Sequence, residues 1–127
     1  MSRVRCLGVI ALALAAASCT SKETRARENF SKSYSCPLGD VTATEHEELS
    51  AWDLTFGELK PLPDIASDPA RVAMWQAEHD RKRKENDANT TVFVAKGCNQ
   101  KKYYGCSRSN AKQGSNVSCT PMVAPVP

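Results

Sequence analysis

The chain has 127 residues, 24% of them charged, with a formal net charge of +3 and six cysteines. That length holds one small domain, and few aliphatic residues fall in its patterned segments, so the core must be thin. No basic patch interleaved with aromatics appears, which argues against a nucleic-acid partner.

The N-terminal segment carries Arg3 and Arg5, an apolar run from Leu7 to Ala17, and the close Ala16-Ala17-Ser18-Cys19. A helix rises about 1.5 Å per residue, so the run is too short for a bilayer core of roughly 30 Å. It has the charged and apolar regions of an export signal. Residues 1–18 therefore read as a signal peptide and Cys19 as a lipidation site. Small residues before Cys19 suit lipoprotein processing, although Ala16 stands where leucine is usual. The alternative is ordinary cleavage after Ala15-Ala16-Ala17, which frees a soluble secreted module. Thr20 is not the aspartate that retains lipoproteins at the inner membrane, so the outer membrane is the expected location. Each buried methylene contributes about 0.8 kcal/mol, and a tri-acylated cysteine exceeds the two signals that stable anchoring needs. No later stretch is apolar enough to span a membrane.

Residues 19–28 are polar and read as a tether. Thr20 and Glu23 have the spacing of a capping box. Ala26, Phe30 and Tyr34 recur every fourth residue, so a short helix should dock through Phe30 and Tyr34 and stop before Pro37. Val41 to Glu47 alternates as a strand. Leu49 to Ser67, with Pro61 and Pro63, reads as irregular, with Trp52 and Phe56 packed on the sheet. Asp68-Pro69 is an N-cap followed by proline at the first helical position, and a helix over 69–85 follows. Val72, Trp75 and His79 should line one side of its first turns. Val92 to Gly97 and Lys101 to Ser107 form two strands joined by a tight turn at Cys98-Asn99-Gln100. A second turn near Asn110 to Ser115 brings back a strand at Val117 to Cys119. The tail 121–127 should be extended.

Cys6 leaves with the signal and Cys19 takes the lipid. Cys36, Cys98, Cys106 and Cys119 remain, an even number in an oxidising compartment, with three possible pairings. In the expected hairpin Cys98 sits at the tip and Cys106 well down the second arm, so they do not face each other. The returning strand brings Cys119 to Cys106 and leaves Cys36 for Cys98. The rival is a four-cysteine zinc site, but the gaps are wide and lack close ligand pairs. A C-x-x-C redox motif is absent.

Removing Arg3 and Arg5 leaves a net charge of +1. Six acids (Asp40, Glu45, Glu47, Glu48, Asp53, Glu58) lie between 40 and 58, where there is no Lys or Arg. Five bases (Lys96, Lys101, Lys102, Arg108, Lys112) follow Asp87, where there are no acids. Charge matching across strands is the simpler reading. A basic face over 96–112 for an envelope polyanion is the sharper one, as is a surface-binding motif at 81–84.

Chemistry-bearing side chains are few. His46 and Glu48 share a face, but two ligands are too few for a metal. His79 stands four residues after Trp75 and should pack on it. No G-x-S-x-G, H-E-x-x-H or phosphate-binding loop occurs. Neither a catalytic set nor a cofactor is expected. The N-x-S/T matches at Asn29, Asn89 and Asn116 matter only in a eukaryotic secretory pathway.

Tyr34-Ser35-Cys36-Pro37, the Val41 strand, Val94-Ala95-Lys96-Gly97-Cys98, Tyr104-Gly105-Cys106 and Cys119 together resemble a group of small bacterial lipoproteins of unassigned function, abundant in myxobacteria. Asn99 departs from their usual glycine, yet asparagine also tolerates a left-handed backbone. Residues 49–90 would be an insertion between two strands. The resemblance implies a scaffold and a location and brings no activity.

The expected protein is a single α+β domain over 29–120. A short N-terminal helix, an antiparallel sheet of three or four strands and one inserted helix are stapled by Cys36–Cys98 and Cys106–Cys119. Its expected role is non-catalytic, structural or binding, with an envelope polyanion or protein as partner. The alternative is a small enzyme or enzyme accessory using the 49–90 insertion.

Overall fold

A computed structural model of the chain describes residues 20–109 and 116–125. The signal segment, Cys19, the turn at 110–115 with Lys112, and the last two residues lie outside the described residues. The order of elements is α1 (Lys22–Tyr34), a 3-10 turn (Leu38–Asp40), β1 (Thr42–Glu45), α2 (Ala51–Phe56), α3 (Pro63–Ala66), α4 (Pro69–Asn89), β2 (Thr91–Gly97), β3 (Gln100–Ser109) and β4 (Asn116–Met122). The strands form one antiparallel sheet in chain order. The fold is thus the disulfide-stapled α+β sheet expected, with four strands. The insertion holds three helices where one was expected.

Helix α1 begins at Lys22, capped by Ser21, whose hydroxyl accepts from the Thr24 amide at 3.0 Å. The cap is therefore Ser21 and not Thr20. Only Thr20 and Ser21 separate the helix from Cys19, so most of the expected 19–28 tether is helix. Ala26 and Phe30 are fully buried, and the Tyr34 ring lies 4.6 Å from that of Phe30. This stripe meets Phe93, Ala95, Tyr104 and Cys106 on one face of the sheet. Burial pushes the Tyr104 hydroxyl pKa up.

The helix packs on all four strands and also ties both ends of the sheet. Arg27 Nε donates to the Val41 carbonyl at 2.9 Å, just before β1, and Asn29 Nδ2 donates to the Cys119 carbonyl on β4 at 3.0 Å. The Cys119 carbonyl therefore points off the open edge, which makes Cys106 and Cys119 a non-hydrogen-bonded pair. Their α-carbons are 4.1 Å apart, as that kind of pair requires. Pro121 extends the same edge. Strand β4 runs through Met122, beyond the tail boundary expected at 121. Proline is tolerated there because an edge strand can turn its nitrogen outward.

Cys36 and Cys98 meet at the opposite end of the domain. Ser35 closes α1 in a left-handed conformation (φ 50°), and the Cys36 amide donates back to the Ser31 carbonyl at 3.1 Å. Cys98 and Asn99 form a two-residue hairpin turn with φ of 47° and 60°, and Gly97 is paired with Gln100. Both positive angles are what the tightest hairpin turn demands. The Cys36–Cys98 bridge spans 5.9 Å between α-carbons. Gly97 permits this approach. A β-carbon there would stand 2.7 Å from the Asp40 carbonyl oxygen and 3.1 Å from the Cys36 sulfur. Gly97→Ala should therefore destabilise the domain by about 1–3 kcal/mol, read as a lower urea midpoint at unchanged slope. A midpoint equal to the parent's would show that this junction has room to spare.

The other sheet face carries a second, smaller core of Ala51, Leu54 and Val92, with Leu49, Tyr103 and Met122 packed on it. This corrects the expectation for Trp52 and Phe56. Ser50 caps α2 by accepting from the Asp53 amide at 3.1 Å. Residues 51 and 54 then face the sheet, and 52 and 56 turn away from it. The prolines did not prevent helix. Pro61 lies between helices, and Pro63 is the first residue of α3, where a missing N–H costs nothing.

Helix α4 starts at the expected Asp68-Pro69 cap, with the Asp68 carboxylate accepting from the Ala70 and Arg71 amides. It runs to Asn89, four residues past the expected end. The Asp87 carboxylate accepts from the Trp52 amide at 3.0 Å, and Arg83 pairs with Asp53 at 2.5 Å. These contacts fix the last turns against α2. No residue of this 21-residue helix is buried.

Candidate functional site

Most of the exposed large apolar side chains among the described residues fall in the helical arm 49–90. Of the six exposed large hydrophobics among the described residues, Phe56, Leu59, Leu62 and Met74 lie in it. Both tryptophans of the chain, Trp52 and Trp75, are also there, and neither is in a core cluster.

An aromatic joint holds α2 to α4. Trp52 Nε1 donates to His79 Nε2 at 3.3 Å, with the two rings edge to face. Trp75 stacks on the imidazole at 5.1 Å with 22° between planes. Phe56 packs on Trp52 at 4.3 Å. The bond from the indole requires His79 to be unprotonated at Nε2, which leaves its proton on Nδ1. His79 thus packs on Trp75, as the spacing suggested, and also joins two helices. Beside the joint is a cleft of about 290 Å³ lined by Trp52, Trp75, His79, Leu59, Lys60, Glu78 and Lys82.

From the rim of this cleft onward α4 is charged all round, and most of its bases already have carboxylate partners. Glu78 pairs with Arg81 at 2.8 Å and Lys82 at 3.5 Å, and Arg81 reaches Glu85 at 3.0 Å. The hydrogen bonds from Arg81 hold the Glu78 carboxyl down at about 2. Arg83 is spent on Asp53, which raises its pKa further. Three of the four bases of 81–84 therefore already have carboxylate partners.

The acidic segment meets its partners differently from the cross-strand matching expected. Glu45 stands opposite Phe93 and Thr42 opposite Lys96, so no acid of β1 faces a base of β2 directly. His46 Nδ1 lies 2.5 Å from Glu48 Oε1, and that hydrogen bond lowers the Glu48 pKa. A second cleft of about 390 Å³ gathers Glu45, His46, Glu47, Glu48, Arg83 and Asp87. Among the described residues no group of three or more His, Cys, Asp or Glu is placed to hold a metal ion.

The bases of 96–112 are divided by strand alternation. Lys96 and Lys101 stand opposite each other on the face that carries α2, while Lys102, opposite Ala95, is on the α1 face. Lys101 lies over the Tyr103 ring at 5.2 Å.

The aromatic cleft is not visible in the sequence, where Leu49 to Ser67 reads as irregular. A signal existed. Ser50 and Asp53 have the spacing of a helix cap, and Trp52 and Phe56 then share a face at i, i+4, as do Trp75 and His79. No family model, curated protein or solved structure matches this chain.

Proposed function

We propose that the chain is a bacterial cell-envelope lipoprotein, held in the outer membrane by lipid on Cys19, with a non-catalytic binding role centred on the 49–90 arm. The observation that carries the anchor is the bookkeeping of thiols. Cys36, Cys98, Cys106 and Cys119 are all consumed by two disulfides. Cys19 is then the one exported cysteine left without a cysteine partner, as lipidation requires. Among the described residues no helix is long and apolar enough to cross a membrane, so membrane attachment through a helix would have to lie elsewhere.

The binding role draws on the arm. A helix of 21 residues with none buried adds little to the core. Phe56, Leu59, Leu62 and Met74 add exposed apolar side chains along the same arm, on its helices and the connections between them. His79 joins α2 to α4 through the Trp52 bond and its stack on Trp75, a packing role within the arm.

Labelled palmitate should be incorporated by the full-length chain in a lipoprotein-processing host. Cys19→Ala should abolish the label and shift the protein from the membrane to the soluble fraction, with both disulfides retained. A parent chain that stays unlabelled and soluble would favour the secreted module cut after Ala17.

A further inference from the structure

We propose that the cleft between α2 and α4 is a saccharide-binding site that stacks a pyranose ring against its tryptophans. The joint between the helices needs the Trp52–His79 bond and the stacking of Trp75 on the imidazole. It does not need two half-open indoles with a cleft beside them, rimmed by Leu59, Lys60, Glu78 and Lys82. Flat apolar walls with a few charged hydrogen-bonding groups at the rim suit a ligand that is apolar on its ring faces and polar at its edge. A sugar ring has that shape: its C–H face lies on an aromatic, and its hydroxyls reach outward. At about 290 Å³ the cleft is at the low end of ligand sites, enough for one ring with the rest of a chain running into solvent.

The charges of the rim select among ligands. Glu78 is matched by Arg81 and Lys82. Lys60 has no ion-pair partner among the described residues. The rim is therefore net positive. An organic cation, the other common guest of tryptophan, is repelled, whereas a neutral or anionic saccharide is accepted. The Trp52 indole N–H is already spent on His79, so its contribution is its ring surface.

This inference rests on the arm being the binding element and is independent of lipidation at Cys19. Trp52 and Trp75 are the only tryptophans, so indole emission reads the cleft directly. The mature chain should be titrated with chitotriose, maltotriose and trigalacturonate, and with benzyltrimethylammonium as the cationic counter-probe. At least one trisaccharide should change the emission saturably, with a dissociation constant in the millimolar range. Trp75→Ala should weaken that binding by about tenfold. Leu59→Glu, which lies outside the Trp52–His79 joint, should weaken it as well without loosening the arm. Saccharide-detected nuclear magnetic resonance saturation transfer gives a second readout that does not depend on emission. Silence with all three saccharides by both methods would overturn the proposal. So would tighter binding of the cation, or saccharide binding unchanged in Leu59→Glu. Palmitate labelling of the same preparations separates failure here from failure of the anchor.

Discussion

Phe30→Ala should lower the stability of the domain by about 3–5 kcal/mol, the usual loss for a fully buried phenylalanine. Phe30 is wholly enclosed and packs with Tyr34 between α1 and the sheet. The surrounding side chains cannot close the space easily. Phe93 and Tyr104 are fixed as directly opposed residues on β2 and β3, and Cys106 is locked by its bridge. A small domain has a total stability of roughly 5–15 kcal/mol, so this single change could remove most of it. Urea unfolding followed by circular dichroism gives the measurement. A loss below about 1 kcal/mol, the scale of an ordinary surface change, would mean that α1 is not a true layer of the core.

Removing the bridge between residues 36 and 98 is expected to be comparably severe. The chain-entropy model gives about 4 kcal/mol for a separation of 62 residues and about 3 for the 13 between Cys106 and Cys119. The longer loop contains the whole 49–90 arm, so its bridge restrains the largest share of the unfolded chain. Cys36→Ala with Cys98→Ala should therefore lower the midpoint more than Cys106→Ala with Cys119→Ala. The two bridges should also differ in access. Cys98 is exposed in its hairpin turn although its partner Cys36 is buried, whereas in the other bridge Cys106 is fully buried and Cys119 is only partly exposed. A small thiol reductant under native conditions should open Cys36–Cys98 first, because exchange needs a thiolate to reach a sulfur. Alkylation of the freed thiols followed by peptide mapping would show the order. Prior opening of Cys106–Cys119 would contradict the burial described here.

Much of the scaffold was legible because its signals are local. The four-residue spacing of Ala26, Phe30 and Tyr34 located α1 and the face it buries. The Asp68-Pro69 pair marked the start of α4, since an N-cap and a first-turn proline need only neighbouring residues. The hairpin expected around Cys98-Asn99-Gln100 pointed to the disulfide pairing, because strand register decides which cysteines can face each other; the turn itself is the two residues Cys98 and Asn99. What was not legible depends on distant partners. The six residues of α2 are too few to show a helical period, and they hold their shape by capping at Ser50 and by Asp87, which is 35 residues away from Trp52. The last turn of α4 has no apolar face, and its extension to Asn89 is accompanied by the Trp52–Asp87 contact and by Asn89 Nδ2 donating to the Glu85 carbonyl. The aromatic joint combines residues from both segments, and neither shows it separately.

Electrostatics divides in the same way. Pairs at i, i+3 and i, i+4, such as Glu78 with Arg81 and Lys82, follow from helix geometry once the helix is known. The pairing of Asp53 with Arg83 does not, since it depends on α2 lying against α4. The sequence contrast between an acidic middle and a basic C-terminal part therefore says little about one charged face. Glu48 turns to His46 and Asp53 to Arg83, and Lys96 and Lys101 lie on the opposite sheet face from Lys102.

Intact-mass spectrometry of the mature protein from a lipoprotein-processing host tests the anchor and the thiol pairing together. The expected species begins at Cys19, carries the mass of its acyl chains, and lacks the four hydrogens removed by two disulfides. An unacylated species beginning at Ser18, or free thiols among Cys36, Cys98, Cys106 and Cys119, would contradict it.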